Sequence, residues 1–295
     1  MGNLRDVRLR MRAIGQTLQV TKAMNLISTA KLRKGRRMLE DTEPYFTRIQ
    51  KSMFDILSEA GSVESDFFRF PDPKKPTRAA IVAITSDKGL AGGYNANVCR
   101  QVNDLCSRVK NPLLILIGSI GYRYFANSPH LILENFSFHS QIPTVKNAKE
   151  ITDFIVSQFL WGMFDEVHVV YTHMYSAIKL LPSEKQLLPL NAEKIQEGLS
   201  VTGNTKRVEL QFEFIPSKKA VFDALVPLYI QGIMYGSMVE AYASEQSARM
   251  SAMDEASRSA EDMLASLQIS YNRARQAGIT QEMSEIIGGS AALTE

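Results

Sequence analysis

The sequence predicts an α/β protein in which long N- and C-terminal helices form an antiparallel coiled coil and the middle of the chain forms a central Rossmann-like α/β domain. Three observations carry this prediction. Both ends repeat apolar or small residues at alternating steps of three and four, the spacing of a coiled-coil seam. The ends carry opposite charge: residues 1–51 hold 12 basic against 4 acidic side chains, and residues 241–295 hold 4 basic against 8 acidic. Between them, short apolar runs alternate with helix-patterned segments, the signature of a mainly parallel sheet with crossover helices.

The first element is a helix over residues 1–58. Leu4, Val7, Met11, Ile14 and Leu18 form its apolar seam, which weakens through Thr21, Asn25 and Ser28 before Leu32. Residues 59–78 (EAGSVESDFFRFPDPKKPTR) are rich in proline and charge and form a linker. The α/β domain spans 79–216. Its first strand is the wholly apolar run 79–85 (AAIVAIT), followed by the turn SDKGLAGGYN and a helix over 96–109. Further strands are expected at 113–117, 131–138, 166–172, 179–189 and 207–215, with helices at 119–126 and 147–164. The last strand, with VELQFEF alternating polar and apolar residues, suits a sheet edge or an exposed face.

The final segment, 217–295, opens on Ser217, in position to cap a helix. No proline follows Pro227, so a helix of roughly 50 residues or more is permitted, several times the usual globular length. Its seam reads Tyr242, Gln246, Arg249, Met253, Ala256, Ala260, Met263, Leu267, Ser270, Ala274 and Ala277. Many of these are small, which lets two backbones lie close. Two amphipathic helices packed on a globular core would show similar stripes; length is what favours the coil.

The chain has 295 residues, 45% hydrophobic and 22% charged, the composition of a folded protein with one or two cores. No apolar run approaches the roughly 20 residues that span a bilayer, and the basic N-terminus lacks the apolar core and cleavage site of a secretory signal, so it reads as mature sequence. Cys99 and Cys106 fall seven apart on a helix, about 10 Å between Cα atoms, too far for a disulfide. They read as buried thiols in a reducing compartment.

Residues 86–95 (SDKGLAGGYN) occupy the strand–turn–helix position where α/β proteins bind phosphates. The glycines, Gly89, Gly92 and Gly93, fit neither GxGxxG nor a P-loop, so a structural turn outweighs a nucleotide site. His130, His139, His168 and His173 match no metal-ligand spacing. Asp165 and Glu166 have no catalytic signature beside them, and no nucleophile elbow, CxxC or HExxH is present. No catalytic, cofactor or metal site is therefore assigned. The basic cluster Lys31, Arg33, Lys34, Arg36 and Arg37 could meet nucleic-acid phosphates, an acidic protein loop or water; interleaved aromatics, which would favour nucleic acid, are missing.

Several motifs carry a resemblance. Residues 20–24 (VTKAM) and 30–33 (AKLR) resemble the N-terminal helix of the γ subunit of F-type ATP synthases. Residues 271–276 (YNRARQ), 279–282 (ITQE) and 285–293 (EIIGGSAAL) are similar to that family's C-terminal signature. Residues 86–95 resemble its central-domain turn, and 243–250 (ASEQSARM) its second helix. The one departure is Gly289-Ser290, where relatives often have a Gly-Ala pair. The plant-type members' cysteine-bearing insertion has no counterpart, so thiol regulation is not expected.

The resemblance implies a non-catalytic central-stalk rotor subunit, turning inside a head of three α and three β subunits and coupling transmembrane ion flow to ATP synthesis or hydrolysis. It implies that Mg-ATP is bound by α and β, that the ε subunit and the c-ring are further partners, and that no nucleic acid is bound. The chain would lie peripherally on the cytoplasmic face of the bacterial cell membrane. By motif position, Arg249 and Gln276 would hydrogen-bond a catch loop of β, with Thr280 and Glu282 nearby. Lys22 and Met24 would meet the β lever, and Arg33, Lys34 and Arg36 an acidic loop of β. Arg249 lies on the seam side, where a guanidinium needs a carboxylate or carbonyl partner, from β or from its own helix at Glu245. The residues alone leave two other readings open: a nucleotide-dependent α/β enzyme and a basic coiled-coil nucleic-acid binder.

Overall fold

The structure, a computed structural model, describes residues 4–60, 63–70, 77–136, 142–176, 179–191 and 214–292. The chain divides into two compact units, residues 1–29 with 249–295 and residues 30–248. Two helices, α1 (Leu4–Ala60) and α5 (Lys218–Ala292), contribute to both.

In the first unit α1 and α5 pair side by side. Arg8 donates to the Tyr271 hydroxyl at 2.7 Å, with its guanidinium 5.5 Å from that ring's centre. Lys22 pairs with Glu261 at 2.7 Å, Ser257 Oγ meets Thr21 Oγ1 at 2.8 Å, and Asn25 Nδ2 donates to the Met250 carbonyl at 3.1 Å. Partner numbers fall on α5 as they rise on α1, so the coil is antiparallel. The α1 seam is as expected: Leu4, Val7, Met11, Ile14, Leu18 and Asn25 are half-buried, and Thr21 and Ser28 are buried. On α5 the seam departs from expectation. Met263, Ser270 and Ala277 are exposed, while Leu264 and Tyr271 are half-buried in their place. A straight helix has 3.6 residues per turn, so a strict three–four alternation drifts off the contact line; after Ala260 the step is four.

The second unit holds a five-stranded sheet of order β3–β2–β1–β4–β5. Its strands are β1 (Arg78–Ile84), β2 (Asn111–Ile117), β3 (Leu131–Phe136), β4 (Glu166–Met174) and β5 (Leu180–Leu188). The first four are parallel, and β5 runs antiparallel on the β4 edge. Three helices connect them: α2 (Tyr94–Arg108), α3 (Ser119–Phe125) and α4 (Val145–Leu160). Alternation along β1 separates two layers. Ala80, Val82 and Ile84 face α4 and the segments of α1 and α5 that carry Met53, Ile56, Phe222, Val226 and Ile230. Ile81 and Ala83 face Val98, Cys99, Val102 and Cys106 of α2 and Phe125 of α3. Both thiols are free, and burial pushes each up to about 11. Most expected elements lie within a few residues of these bounds; the strand expected at 207–215 falls almost wholly outside the described residues.

Ser217 caps α5 as expected, accepting from the Ala220 N–H at 3.2 Å. Within this unit α5 is tied to the sheet by Glu240, whose carboxylate accepts from the Met174 N–H at 3.3 Å and contacts His173 Nδ1. Burial raises that carboxyl, and the charge of His173 opposes the rise.

Candidate functional site

The turn after β1 lies at the carboxyl ends of the parallel strands, beside the β1–β4 junction where the strand order reverses. Its polar groups are already satisfied internally. Ser86 N–H donates to Asn95 Oδ1 at 3.0 Å, and Ser86 Oγ donates to the Lys88 carbonyl at 2.8 Å. The N-terminus of α3 is also occupied: Asp87 Oδ1 accepts from Ser119 N–H and Thr85 Oγ1 from Gly121 N–H, each at 2.9 Å. Gly118, at φ +95°, lets β2 end against β1, since a Cβ there would sit 2.4 Å from the Thr85 carbonyl oxygen. The hollow left beside the turn is about 60 Å³, well short of the roughly 300 Å³ of a small ligand pocket. The turn is a locking device between strand ends.

Of the polar residues weighed for chemistry, Asp165, Glu166, His168 and His173 have structural partners, and His139 lies outside the described residues. Asp165 binds the Arg78 N–H at 3.0 Å. His168 sits between Glu166 and Glu184, at 3.3 and 3.2 Å. Among the described residues no group of His, Cys, Asp or Glu could hold a metal ion, and no helix is long and apolar enough to cross a membrane.

The residues assigned to partner contacts fall in both units. On α1 in the first unit, Lys22 is exposed and paired with Glu261, and Met24 is half-buried. Arg249, on α5 one residue before the Met250 carbonyl that receives Asn25, is buried at 7% exposure by this chain alone. Further along α5, Gln276, Thr280 and Glu282 are exposed; Thr280 spends its hydroxyl on the Gln276 carbonyl at 3.0 Å. In the second unit Arg33, Lys34 and Arg36 are exposed, with Arg36 reaching the Met174 sulfur at 3.8 Å.

Helical geometry groups these with residues the sequence reading did not single out. At about 100° per residue, Gln276, Ile279, Thr280, Met283, Ile286 and Ile287 share one face of α5, and Glu282 falls at its margin. The four apolar members are exposed, Ile286 at 71%. This face is turned about two-fifths of a turn from the α5 seam, and it extends past the coil: with Arg8 opposite Tyr271, about five turns of α5 run beyond the start of α1. On α1, Leu9, Val20 and Ile27 line the face opposite the seam, and Leu26, about 100° further round the helix, is also exposed at 72%. The signal for these residues was present in the sequence as apolar positions out of phase with the seam. The first unit is thus a two-helix coil that buries one apolar face and presents others.

Known proteins match the whole chain. A family model described as ATP synthase matches residues 3–293. The ATP synthase gamma chain of Acetivibrio thermocellus is 40% identical over 294 residues, covering 99% of this chain and 100% of the relative. A sodium ion specific ATP synthase gamma chain from Acetobacterium woodii is 37% identical, with 99% of each chain covered. Among solved structures, a chain of the Euglena gracilis mitochondrial ATP synthase matches with a TM-score of 0.67 at 17% identity, covering 98% of this chain and 94% of that one, and so shares the fold. Motifs, topology and relatives agree, and the chain belongs to the γ-chain family of F-type ATP synthases.

Proposed function

We propose that this chain couples transmembrane ion flow to ATP synthesis or hydrolysis by turning inside a head of three α and three β subunits, without a catalytic site of its own. The observation that carries this reading is the exposed apolar stripes of the first unit. A two-helix coil with Leu9, Val20 and Ile27 on one outer face, and Ile279, Met283, Ile286 and Ile287 along an unpaired helix, is suited to being enclosed by other subunits. Two unlike helices also present a different surface to each of three β subunits, which a threefold-symmetric axle could not do.

In this reading segments 1–58 and 217–295 supply the coil, and 79–216, joined through 59–78, the body that meets the ε subunit and the c-ring. Arg249 and Gln276 hydrogen-bond the β catch loop, with Thr280 and Glu282 near them. Lys22 and Met24 face the β lever, and Arg33, Lys34 and Arg36 an acidic β loop. Mg-ATP is held by α and β, and the chain is peripheral to the cytoplasmic face of the bacterial cell membrane. The test is co-purification with α and β followed by ATP hydrolysis. Turnover that needs this chain and is absent from the chain alone supports the proposal; micromolar binding of ATP or NAD by the isolated chain contradicts it.

A further inference from the structure

We infer that Thr21, Ser257 and Asn25 form a polar lock that sets the register of the antiparallel coil. The apolar part of the seam specifies register weakly. Beyond the buried Met253, its α5 side is built largely from Ala260, Leu264, Leu267 and Ala274, of which only Ala260 is buried, and small or half-buried apolar side chains pack almost as well after a slide of one heptad. Polar groups that bond across a coil do not, because a slide breaks the cross-helix bond: a heptad either way sets Met250 or Leu264 in place of Ser257; a single such residue fixes register at some cost in stability.

The proton count at this layer is informative. Thr21 and Ser257 are both 7% exposed. Their oxygens lie 2.8 Å apart, Thr21 Oγ1 is 3.0 Å from the Leu18 carbonyl, and Ser257 Oγ is 2.8 Å from the Met253 carbonyl. Two hydroxyl protons serve three contacts. Whichever hydroxyl donates across the coil, the other donates to its own helix, so the layer is satisfied in both arrangements. Each hydroxyl therefore keeps an own-helix acceptor when its partner is removed, and the cross-helix bond can be deleted without orphaning a donor. One turn along, Asn25 Nδ2 reaches the Met250 carbonyl at 3.1 Å, a second cross-helix tie; backbone carbonyls recur along α5, so the Thr21–Ser257 pair selects the register and Asn25 strengthens the alignment that pair selects. These are positioning residues: they determine where along α5 the surfaces of Lys22 and Met24 fall relative to Arg249.

The test uses the full chain carrying Val20→Cys and Ile269→Cys, both exposed positions, spin-labelled for distance measurement; the buried Cys99 and Cys106 resist labelling. The two labels lie about three turns apart along the coil axis, so a slide of one heptad, roughly 10 Å, changes their separation. The parent is expected to give one narrow distance. Thr21→Val/Asn25→Leu/Ser257→Ala should remain helical and show a second, displaced population, and the exchanged pair Thr21→Ser/Ser257→Thr should restore the single distance. A triple variant that keeps the parental distance and width overturns the inference. Should the triple variant fail to fold, the singles Ser257→Ala and Thr21→Val provide the same readout as partial broadening, and parental width in both overturns it equally. The consequence for activity rests on the rotor reading: in the assembled complex, ion pumping per ATP hydrolysed should fall in proportion to the displaced population. A displaced population with unchanged pumping would preserve the lock and count against that rotor reading.

Discussion

The two units bury their apolar residues to very different degrees. In the α/β unit, Ile81, Val82, Leu114, Ile115, Val169 and Phe222 are fully enclosed, with sheet and helices covering both faces. In the coil, most of the α1 seam is only half-buried, and Leu9, Val20, Ile27, Ile269 and Met283 are each more than half exposed. Apolar surface left out of a monomer's core adds little to folding stability, and where it forms a stripe it marks a surface that a partner can bury. The contrast teaches that stability and function are assigned to different parts of the chain: one unit is finished by its own packing, and the other is finished by what it binds.

Truncating the enclosed core should give the largest effect. Phe222→Ala or Phe159→Ala, at 0% and 1% exposure, should cost about 3–5 kcal/mol in urea unfolding of the full chain. Leu26→Ala and Ile286→Ala should change the same measurement by no more than about 0.5 kcal/mol, yet weaken co-purification with α and β. Equal stability losses in both sets would erase the distinction between the units.

Glycines give a sharper and smaller contrast. Gly118→Ala forces a side chain onto the Thr85 carbonyl at positive φ and should cost about 1–3 kcal/mol. Gly278, with nothing within 4 Å of an added Cβ, sits in an exposed helix, where Gly278→Ala should raise stability by about 0.5–1 kcal/mol. Thermal or urea unfolding of the two variants reads both signs.

Charges in the coil come next. Lys22→Ala removes an exposed ion pair to Glu261 and should cost only about 0.2–1 kcal/mol, less at high salt. Arg249→Ala removes a buried side chain and should cost more than that, whereas Gln276→Leu, at an exposed position, should leave unfolding unchanged and slow multi-site ATP turnover in the complex. Similar stability for the two variants would mean that Arg249 contributes nothing to the coil.

The smallest effect at neutral pH, zero by construction, comes from the α2 thiols. Their folded values, about 11, lie above the ordinary 9.0, so the unfolded chain loses these protons first. Stability should therefore be intact below pH 9 and decline as pH rises towards 11. Cys99→Ser/Cys106→Ser should flatten that alkaline decline; an unchanged slope would assign it to other groups.

Much of this was legible in the sequence because it depends on period. The wholly apolar run 79–85 encodes a strand buried on both faces, the three–four stepping from Leu4 to Leu18 encodes which side of α1 faces in, and the structure follows both. Beyond Ala260 the α5 seam was legible only in part: Leu267 and Ala274 keep their expected places, whereas Leu264 and Tyr271 replace Met263 and Ser270 because neighbouring phases are equally apolar or equally open and the partner helix makes the choice. The outer stripes were missed because a reading tuned to one seam treats Val20, Ile27 or Ile279 as noise. The Thr21–Ser257 layer looked like a weakness in the seam, and only the distances show two hydroxyls meeting there. The tie from Glu240 to His173 and the Met174 N–H joins residues 66 or more positions apart, which no local pattern signals.

The central claim is that this chain turns within a stationary head. It is tested most directly by watching that motion. Trp161, at 79% exposure in the α/β unit, can be replaced by Cys to carry a probe, because the two native thiols are buried and held protonated. With α and β fixed to a surface, added Mg-ATP should drive the probe around in one direction, in three pauses per turn matching three β subunits. Sustained ATP hydrolysis by that complex with the probe stationary would contradict the account.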